Sequence, residues 1–457
     1  MSSIKISIIG AGSAVFSMAI VNDLCLTDGL AGSHVCFMDI DEERLDVVHK
    51  LAVRYADELG SDLTFEKTLD RGVALEDADF VINTAAVRDE YHHHDLRTLV
   101  DSHGYYYGGR IPLPFYQLDL MLDIARDMET TCPDAWLIFA ANPVFDGTTL
   151  VTRETGVKTV GLCHGHYGYR RIAETIGIDP DAVTWQAPGL NHNIWLTHFI
   201  YEGRDAYPLV DEWIEKEGPA YWAEHEATGT HDTQMSKAAC HQYRMYGLFP
   251  IGDTPRRGGW WYHTDKEAKL RWFFDPWGGP DTHEARAVTR ETKDERIARM
   301  AEMASDPEAG LTEFFGGKRT REQHISIIDG LVNDNEYRAQ VNVPNRGALP
   351  GVPDDVAVEV PAVVNRKGIQ PIRVDPLPNK VLFECIMPDW LRMEQNLEAF
   401  LTGDPTMLLW GALHRHQTRS YDQAVEMLED VLSMPGHEEL ADHYDFPPES
   451  LEVFDRD

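Results

Sequence analysis

Cysteine and histidine side chains that suit a transition metal occur in two short segments of this chain. Cys163, His164 and His166 lie close together, and Asn191 and His192 follow further along. Thiolate and imidazole form a ligand pair for Zn²⁺, Mn²⁺ or Fe²⁺. A metal in such a place can polarise the oxygen at a carbon that is being oxidised. The segments therefore predict a metal site for redox chemistry on a hydroxylated substrate, although a single cysteine more commonly packs as a small apolar side chain.

A glycine-containing turn near the start of the chain has the composition of a dinucleotide site. Gly10, Gly12 and Ser13 directly follow an apolar, β-branched segment, whereas position 15, where a third glycine is common, is Val15. Glycines allow a tight turn, and the following helix N-terminus holds a pyrophosphate. Asp39 ends the next predicted strand, where a carboxylate hydrogen-bonds a ribose and repels a 2′-phosphate. We therefore expect NAD rather than NADP, with a plain packing joint between strand and helix as the alternative.

Apolar segments alternate with helical segments through the first half of the chain. The strand-like segments are residues 4–9, 34–39, 78–84, 135–142 and 157–163. This alternation is typical of a parallel, doubly wound sheet of the Rossmann type, whose ligands bind at the carboxyl ends of the strands. The sequence therefore predicts an α/β fold with a first, NAD-binding domain over residues 1–195, in which Cys163 ends a strand at the ligand-binding edge.

The rest of the chain, residues 196–457, is expected to form a second domain of the α+β class for substrate binding and oligomerisation. Helical spacing is predicted over residues 201–247, 283–330 and 390–434. Residues 339–377 are rich in Val, Pro and Asn, which indicates short antiparallel strands and turns. The boundary is therefore a change of composition rather than a flexible linker.

Polar groups that suit a sugar occur in two further segments. Asn142 precedes a proline at a predicted strand end, where it marks a turn or hydrogen-bonds a substrate hydroxyl. Residues 243–261 combine a carboxylate and aromatic rings with Arg256 and Arg257, which suits a sugar acid or simply a basic surface loop. Residues 91–94 contain consecutive histidines, whose side chains point apart, and this predicts a polar loop rather than a second metal site.

The charge balance restricts the possible partners. The chain has 41 Lys and Arg against 76 Asp and Glu, a net charge of −35. Such a surface repels nucleic acid and anionic membranes, and it is compatible with an adaptation to salt or with an ordinary acidic enzyme. An acidic protein that binds an anionic sugar must concentrate its arginines in the pocket. The six cysteines lack paired spacing, and neither a signal peptide nor an apolar run of about 20 residues occurs, so a cytoplasmic protein is expected.

Taken together, the segments resemble glycoside hydrolase family 4, the NAD- and Mn²⁺-dependent glycosidases related in fold to lactate and malate dehydrogenases. The resemblance rests on residues 9–13, 142–143, 161–164, 189–192, 252–253 and 341–345. The Cys-His and Asn-His pairs are specific to that family, whereas the glycine turn is not. The resemblance implies hydrolysis by NAD-mediated oxidation at C3, elimination across C1 and C2, and addition of water, which is an exception to the two-carboxylate scheme of most glycosidases.

The resemblance also implies roles for individual residues. The positions that match the Mn²⁺ ligands are Cys163 and His192. The positions assigned to the NAD site are Gly10, Gly12, Ser13, Asp39 and Asn83. The positions assigned to substrate are Asn142, Asn191, Arg256 and Arg257, with Arg110 as a further partner for a carboxylate. The positions assigned to catalysis are His164 as proton donor to the leaving group and Asp253 as the C2 base, with Tyr246 and Tyr243 as rivals for the base.

The Cys-His-Gly-His form resembles family members that act on α-linked galacturonic acid. We therefore expect an α-galacturonidase that takes uronate-containing oligosaccharides, with α-glucosidase or α-glucuronidase activity as alternatives. Two alternatives belong to other classes: a NAD-dependent 2-hydroxyacid dehydrogenase, which would accumulate NADH, and a NAD-binding sensor without turnover. By analogy with relatives of this fold, a homodimer or homotetramer is expected.

Overall fold

The computed structural model describes residues 4–88, 90–106, 114–448 and 451 of the 457-residue chain. The strands in these residues are β1 (Lys5–Ile9), β2 (His34–Met38), β3 (Thr64–Thr68), β4 (Phe80–Asn83), β5 (Trp136–Phe139), β6 (Lys158–Gly161), β7 (Val183–Gln186), β8 (Gly189–Leu190), β9 (Asn193–Leu196), β10 (His198–Tyr201), β11 (Arg204–Asp205), β12 (Phe249–Ile251), β13 (Tyr337–Pro344), β14 (Ala357–Asn365) and β15 (Gly368–Pro371). The α-helices in them are α1 (Ala14–Cys25), α2 (Glu42–Leu59), α3 (Arg71–Leu75), α4 (Glu90–Ser102), α5 (Phe115–Thr131), α6 (Val144–Glu154), α7 (Gly168–Thr175), α8 (Tyr207–Lys216), α9 (Gly218–Glu224), α10 (Lys237–Tyr246), α11 (Lys266–Trp272), α12 (His283–Ser305), α13 (Leu311–Phe315), α14 (His324–Asn333), α15 (Asn379–Val381), α16 (Met387–Thr402), α17 (Pro405–Leu413), α18 (Tyr421–Leu432) and α19 (Glu438–Tyr444).

The first half of the chain forms a parallel sheet. Strands β3, β2, β1, β4, β5 and β6 lie side by side in that order, and each neighbouring pair is parallel. This is the strand order of the doubly wound dinucleotide-binding fold, in which the winding reverses between β1 and β4. The predicted α/β, Rossmann-type class is therefore confirmed.

An antiparallel extension from later in the chain continues the same sheet. Strand β13 pairs with β6 through Asn342 and Gly161, and β14, β8, β9 and β12 follow in that order. A side chain on Gly161 would come within 3.0 Å of Asn342 Cβ on β13, so glycine allows this close joint. Residues on both sides of position 195 thus share one sheet in the described part of the chain, and the predicted domain boundary there stays a prediction.

Helix α2 shows how local sequence sets the elements around the sheet. Its first turn is capped by Asp41, whose carboxylate accepts a hydrogen bond from Arg44 N at 3.1 Å, and it ends at Gly60 with a φ of +63°. Leu45 and Val48, on its apolar side, are buried in the core. None of the described helices combines the length and the apolar character that crossing a membrane requires.

The histidine-rich segment at residues 91–94 lies in helix α4, so the predicted polar loop is wrong there. The segment continues into Leu96, Leu99 and Val100, which pack into the core and give the helix an apolar side. The polar residues that precede them extend the same helix. His92 Nε2 lies 3.0 Å from His437 Nε2, so this histidine contacts the C-terminal helices.

Candidate functional site

The glycine turn after β1 has the geometry of a phosphate-binding turn. Gly10 has a φ of +84°, and a side chain there would overlap the backbone of Ala85. Gly12 N donates to Asp39 Oδ2 at 2.6 Å, and a side chain on Gly12 would come within 2.7 Å of that oxygen. Ser13 precedes α1 without capping it, so the first N–H groups of the helix have no side-chain cap and are suited to an anion.

Asp39 supports this turn from the carboxyl end of β2. Its Oδ2 accepts from Gly12 N, and its Oδ1 accepts from Asp41 N at 3.0 Å. Each oxygen retains a second lone pair, so both hydrogen bonds are compatible with a ribose hydroxyl as an additional donor. The residues present therefore fit the adenosine half of a dinucleotide, while the ribose contact stays a prediction.

Asn83 lies fully buried at the carboxyl end of β4. Its Oδ1 accepts from Ala85 N at 3.0 Å, and its backbone oxygen accepts from Ala140 N at 3.1 Å. Its Nδ2 has no hydrogen-bond partner among the described residues. A buried donor without a partner is costly, so an acceptor on a bound cofactor would stabilise it. This observation also fits a dinucleotide at the carboxyl edge of the sheet.

A tight hairpin presents His192. Asn191 and His192 form the turn between β8 and β9, since Leu190 pairs with Asn193 across it. His192 has a φ of +64°, in the left-handed region that residues other than glycine adopt infrequently. Its Nε2 lies 3.3 Å from Asp253 Oδ2. Such backbone strain is common at functional sites, because the surrounding fold must maintain it.

Three acidic groups approach one another beside this hairpin. Burial, and then the carboxyls of Glu359 and Asp253, raise the pKa of the Cys163 thiol. Glu359 is only 1% exposed, and its Oε2 accepts from Asn191 Nδ2 at 3.1 Å. Burial, together with the nearby charge of Asp253, raises the pKa of Glu359 to about 7. Groups that oppose each other's ionisation in this way are suited to a divalent cation, which would offset the repulsion.

A metal fits the chemistry of this donor set. Thiolate, imidazole and carboxylate are supplied by Cys163, His192 and Asp253, and Glu359 Oε1 is buried without a hydrogen-bond partner among the described residues. Within residues 4–88, 90–106, 114–448 and 451, however, no three His, Cys, Asp or Glu side chains are grouped closely enough to hold an ion as they stand. The predicted ligands Cys163 and His192 would therefore have to adjust when a metal binds.

Asp253 is held by an arginine rather than left free to act as a base. Arg256 Nε and Nη2 donate to its two oxygens at 2.9 and 3.0 Å, and Arg256 Nη1 donates to Asp281 Oδ1 at 2.7 Å. Burial alone would raise the pKa of Asp253, but Arg256 and His192 hold it well below its usual range. Asp253 is therefore an anion suited to a cation, and it is weak as a proton acceptor near neutral pH.

The two rival tyrosines have hydrogen-bond and ring partners other than the candidate metal ligands. Tyr243 donates to Asp211 Oδ1 at 2.9 Å, which ties it to helix α8. Tyr246 packs edge-on against Trp195 with ring centroids 5.1 Å apart, and burial followed by the neighbouring Cys385 raises its pKa. None of these hydrogen bonds and ring contacts joins Tyr243 or Tyr246 to Cys163 or His192. The contacts therefore do not decide which of the two tyrosines is the better candidate for the C2 base.

His164 is paired with a carboxylate that the sequence did not single out. Its Nε2 lies 2.7 Å from Glu322 Oε2, and His324 Nδ1 lies 3.3 Å from the same oxygen. The hydrogen bond to Glu322 raises the pKa of His164, which favours the protonated imidazole. His166, in contrast, is buried, its Nδ1 lies 3.1 Å from Cys163 O, and it stacks on Trp185. We therefore assign His166 to the structure of the turn.

Asn142 is exposed at the carboxyl end of the sheet, directly before helix α6, where it is accessible to a ligand. Asn193 and Thr254, which directly follow His192 and Asp253, line a pocket of about 890 Å³. Arg257 lines the same pocket, whereas Arg256 is engaged by the carboxylates of the protein. Arg110 lies outside the described residues.

Comparisons with known proteins agree with this geometry. Residues 5–178 match the family 4 glycosyl hydrolase model, and residues 187–418 match the model of the family 4 glycosyl hydrolase C-terminal domain. The chain is 29% identical to an α-glucosidase of Erwinia rhapontici over 403 residues, which cover 81% of this chain and 85% of the relative. It is 25% identical to an α-galacturonidase of Lachnoclostridium phytofermentans over 440 residues, 90% of each chain.

A similar solved structure is that of a 6-phospho-α-glucosidase from gut microorganisms in complex with NAD and Mn²⁺. The TM-score is 0.76 at 17% identity, and the likeness covers 96% of this chain and 98% of that chain. It shows a shared fold. Because the two family matches together span most of the sequence, this chain belongs to family 4 of the glycosyl hydrolases.

Proposed function

We propose that this glycosidase is an α-galacturonidase that uses NAD and Mn²⁺. The observation that carries the proposal is the pocket beside His192 and Asp253, into which the chain brings Arg257, Arg392 and Arg415. In a chain with a net charge of −35, such a local concentration of arginine is suited to a substrate carboxylate. The α-galacturonidase relative supports the same substrate class, whereas the α-glucosidase relative supports a neutral sugar as the alternative.

Different residues would bind the dinucleotide and the metal. Gly10, Gly12 and the first turn of α1 would hold the dinucleotide pyrophosphate, and Asn83 would donate to an acceptor of the same dinucleotide. Cys163 and His192 would ligate the metal. When bound, NAD would supply a hydride acceptor and donor, and Mn²⁺ a Lewis acid at the oxygen of the carbon that is oxidised.

Proton transfer falls to other side chains. His164, with its proton retained by Glu322, would donate to the oxygen of the leaving group. Asp253 is ionised and so able to accept the C2 proton, although Arg256 weakens it as a base. Tyr246 is the alternative base, but it would have to lose a proton in a buried position against Trp195. Arg257, rather than Arg256, would bind the carboxylate of the reacting sugar.

The test is release of free galacturonate from a nitrophenyl α-galacturonide, with NAD⁺, Mn²⁺ and a reductant each supplied and withheld. The reductant matters because a thiolate ligand is sensitive to oxidation. The need for reducing conditions also fits a cytoplasmic location. Turnover that requires all three, without accumulation of NADH, is expected. Turnover of a nitrophenyl α-glucoside with none on the galacturonide would overturn the substrate, and net NADH production would indicate a dehydrogenase.

A further inference from the structure

The hairpin that presents His192 has few backbone pairings of its own. Strand β8 contains two residues, and within the described part of the chain it pairs with β14 at one position, where Gly189 lies opposite Glu359. His192 nevertheless adopts a left-handed backbone conformation, which persists in a folded protein only when the surrounding structure enforces it. The position of His192 therefore depends on the contacts of the residues on either side of it.

A buried hydroxyl holds the strand that follows His192. Thr254 Oγ1 donates to Ile194 O at 3.0 Å and accepts from Ile194 N at 2.8 Å, so one side chain satisfies both backbone polar groups of Ile194. Thr254 is only 2% exposed, so water has little access to replace these hydrogen bonds. Because Thr254 directly follows Asp253, its hydroxyl fixes the hairpin to the turn that carries this carboxylate.

A buried amide ties the same strand to a C-terminal helix. Asn193 Nδ2 donates to Asp389 Oδ2 and to Cys385 O, each at 2.8 Å. Asn193 Oδ1 accepts from Trp195 Nε1 at 2.8 Å, so both the oxygen and the nitrogen of the amide have partners. Asp389 lies in the first turn of α16. The residue next to His192 is therefore anchored to a helix far along the chain.

The residue before His192 is held as well. Asn191 Nδ2 donates to Glu359 Oε2 on β14 at 3.1 Å. Side-chain hydrogen bonds thus hold the chain immediately before and immediately after His192. The bonds on the second side come from Asn193 and Thr254, and we call these two side chains the hairpin clamp.

We propose that the hairpin clamp positions His192 as a metal ligand, so that the affinity for Mn²⁺ depends on two residues that are not themselves ligands. The inference rests on the proposed ligation by Cys163 and His192. A clamped backbone limits the adjustment of His192 on metal binding to its side-chain torsions. A ligand that is held in advance loses less conformational freedom when the ion binds.

The first test is a titration of the full chain with Mn²⁺, after removal of metal and in the presence of NAD⁺, followed by the electron paramagnetic resonance of the free ion. Thr254→Val keeps the shape of the side chain and removes its hydroxyl. Its dissociation constant for Mn²⁺ is expected to rise by about tenfold or more, as for other residues that orient metal ligands. Thr254→Ser keeps the hydroxyl and should bind Mn²⁺ as the wild type does. Wild-type affinity in Thr254→Val, or an equal loss in both variants, overturns the clamp.

Thr149→Val is the matched control. Thr149 is fully buried, and its hydroxyl likewise donates to a backbone oxygen, Phe145 O at 3.0 Å, and accepts from a backbone amide, Ala357 N at 3.1 Å. We expect the control to lower the free energy of unfolding about as much as Thr254→Val does, without a change in Mn²⁺ affinity. An equal loss of affinity in the two valine variants would be a general effect of lower stability, and it overturns the clamp.

Hydrogen exchange of the metal-free protein measures the clamp without metal or turnover. The backbone amides of residues 189–196 are expected to exchange faster in Thr254→Val than in the wild type or in Thr149→Val, because local opening then costs less free energy. Exchange at the wild-type rate overturns the clamp.

Asn193→Leu decides the question if Thr254→Val does not fold. Asp389 keeps its contact with Arg392 in this variant, so no buried carboxylate is left without a partner. Faster exchange of the hairpin amides and weaker Mn²⁺ binding are expected again. Wild-type exchange or wild-type affinity in Asn193→Leu overturns the clamp.

His192→Ala separates the clamp from the proposed ligation. If His192→Ala binds Mn²⁺ as tightly as the wild type does, the proposed ligand set is wrong, and the clamp has no role at the metal even where it holds the hairpin. If His192→Ala loses Mn²⁺ while Thr254→Val and Asn193→Leu retain it, the ligand set stands and the clamp fails.

Discussion

Gly252 packs backbone to backbone against Gly165, which brings the turn before Asp253 directly against the turn after Cys163. Gly252 has a φ of +65°, and a side chain there would overlap the Gly165 backbone. The spacing between the thiol and the carboxylate therefore depends on a contact that contains no side chain at all.

Gly252→Ala is expected to destabilise the protein and to weaken Mn²⁺ binding. The left-handed backbone alone costs about 1–2 kcal/mol for alanine, and the overlap with Gly165 adds to that cost. Urea unfolding and metal titration measure the two effects. Gly177→Ala is the matched control, because Gly177 has a φ of +78° with nothing within 4 Å of the added carbon. Equal losses of stability and of Mn²⁺ affinity in both variants would contradict the role of the contact.

Glu359→Gln is expected to stabilise the metal-free protein at alkaline pH. The folded-state pKa of Glu359 is raised from 4.5 to about 7, so stability falls as the pH rises from 4.5 to 7, and the cost is fully present above that range. Glutamine does not ionise, so the variant should gain on the order of 3 kcal/mol over the wild type at pH 8 and little at pH 4.

Urea unfolding of both proteins at a series of pH values, in the presence of a chelator, measures this difference. The same substitution should weaken Mn²⁺ binding, because it removes a negative charge beside Cys163 and Asp253. If the free energies of unfolding of the two proteins differ by the same amount at every pH, the raised pKa of Glu359 is contradicted.

The parallel part of the fold is predictable from local sequence. Each strand is an apolar segment that ends in a turn, and the glycine turn with Asp39 follows directly from residue types at short spacing. The antiparallel extension is harder to predict from the sequence. Its position depends on pairings such as that of Asn342 with Gly161, which join residues far apart in the chain. The sequence predicts a loop at residues 91–94 because the apolar side of their helix only begins further along, at Leu96.

The candidate site shows the same limit. Cys163 and His192 stand out because their types and neighbours are unusual, and the metal chemistry follows from that. Glu322, Asp281 and Glu359 are ordinary acidic residues among 76 Asp and Glu, so nothing local distinguishes them. Only the fold shows that Glu322 pairs with His164, that Asp281 accepts from Arg256 and that Glu359 accepts from Asn191.

Asp281→Asn is expected to destabilise the protein near neutral pH and to loosen Arg256. Asp281 accepts from Arg256 Nη1 at 2.7 Å and from Arg286 Nη2 at 3.1 Å, and it lies 3.7 Å from Lys269 Nζ, whose side chain is fully buried. Removing one partner from such a buried network costs roughly 3–5 kcal/mol. Asp181→Asn, at a carboxylate whose side chain is 77% exposed, should change stability little.

The pH dependence of this cost has a definite sign. Burial alone would raise the pKa of Asp281, but Arg256, Lys269 and Arg286 hold it well below its usual range. Its contribution is therefore fully present above the ordinary value of 3.8 and is lost as the pH falls toward the folded-state pKa. The difference between wild type and Asp281→Asn in urea unfolding should be constant from pH 5 to 7 and shrink below pH 3. A difference that grows in acid would contradict this assignment.

Glu322→Gln is expected to slow cleavage in proportion to how much the leaving group needs a proton. The pairing of Glu322 with His164 keeps the imidazole protonated and oriented, and a general acid typically contributes about 10²–10⁴-fold to rate. A sugar hydroxyl is a poor leaving group and needs that proton, whereas nitrophenolate leaves without it. We therefore expect kcat to fall strongly on α-1,4-digalacturonate and much less on nitrophenyl α-galacturonide, with KM little changed on either.

Glu313→Gln, at an exposed glutamate, is the control and should leave both rates near wild type. An equal fall of kcat on both substrates would assign Glu322 to the structure of the site rather than to proton donation through His164.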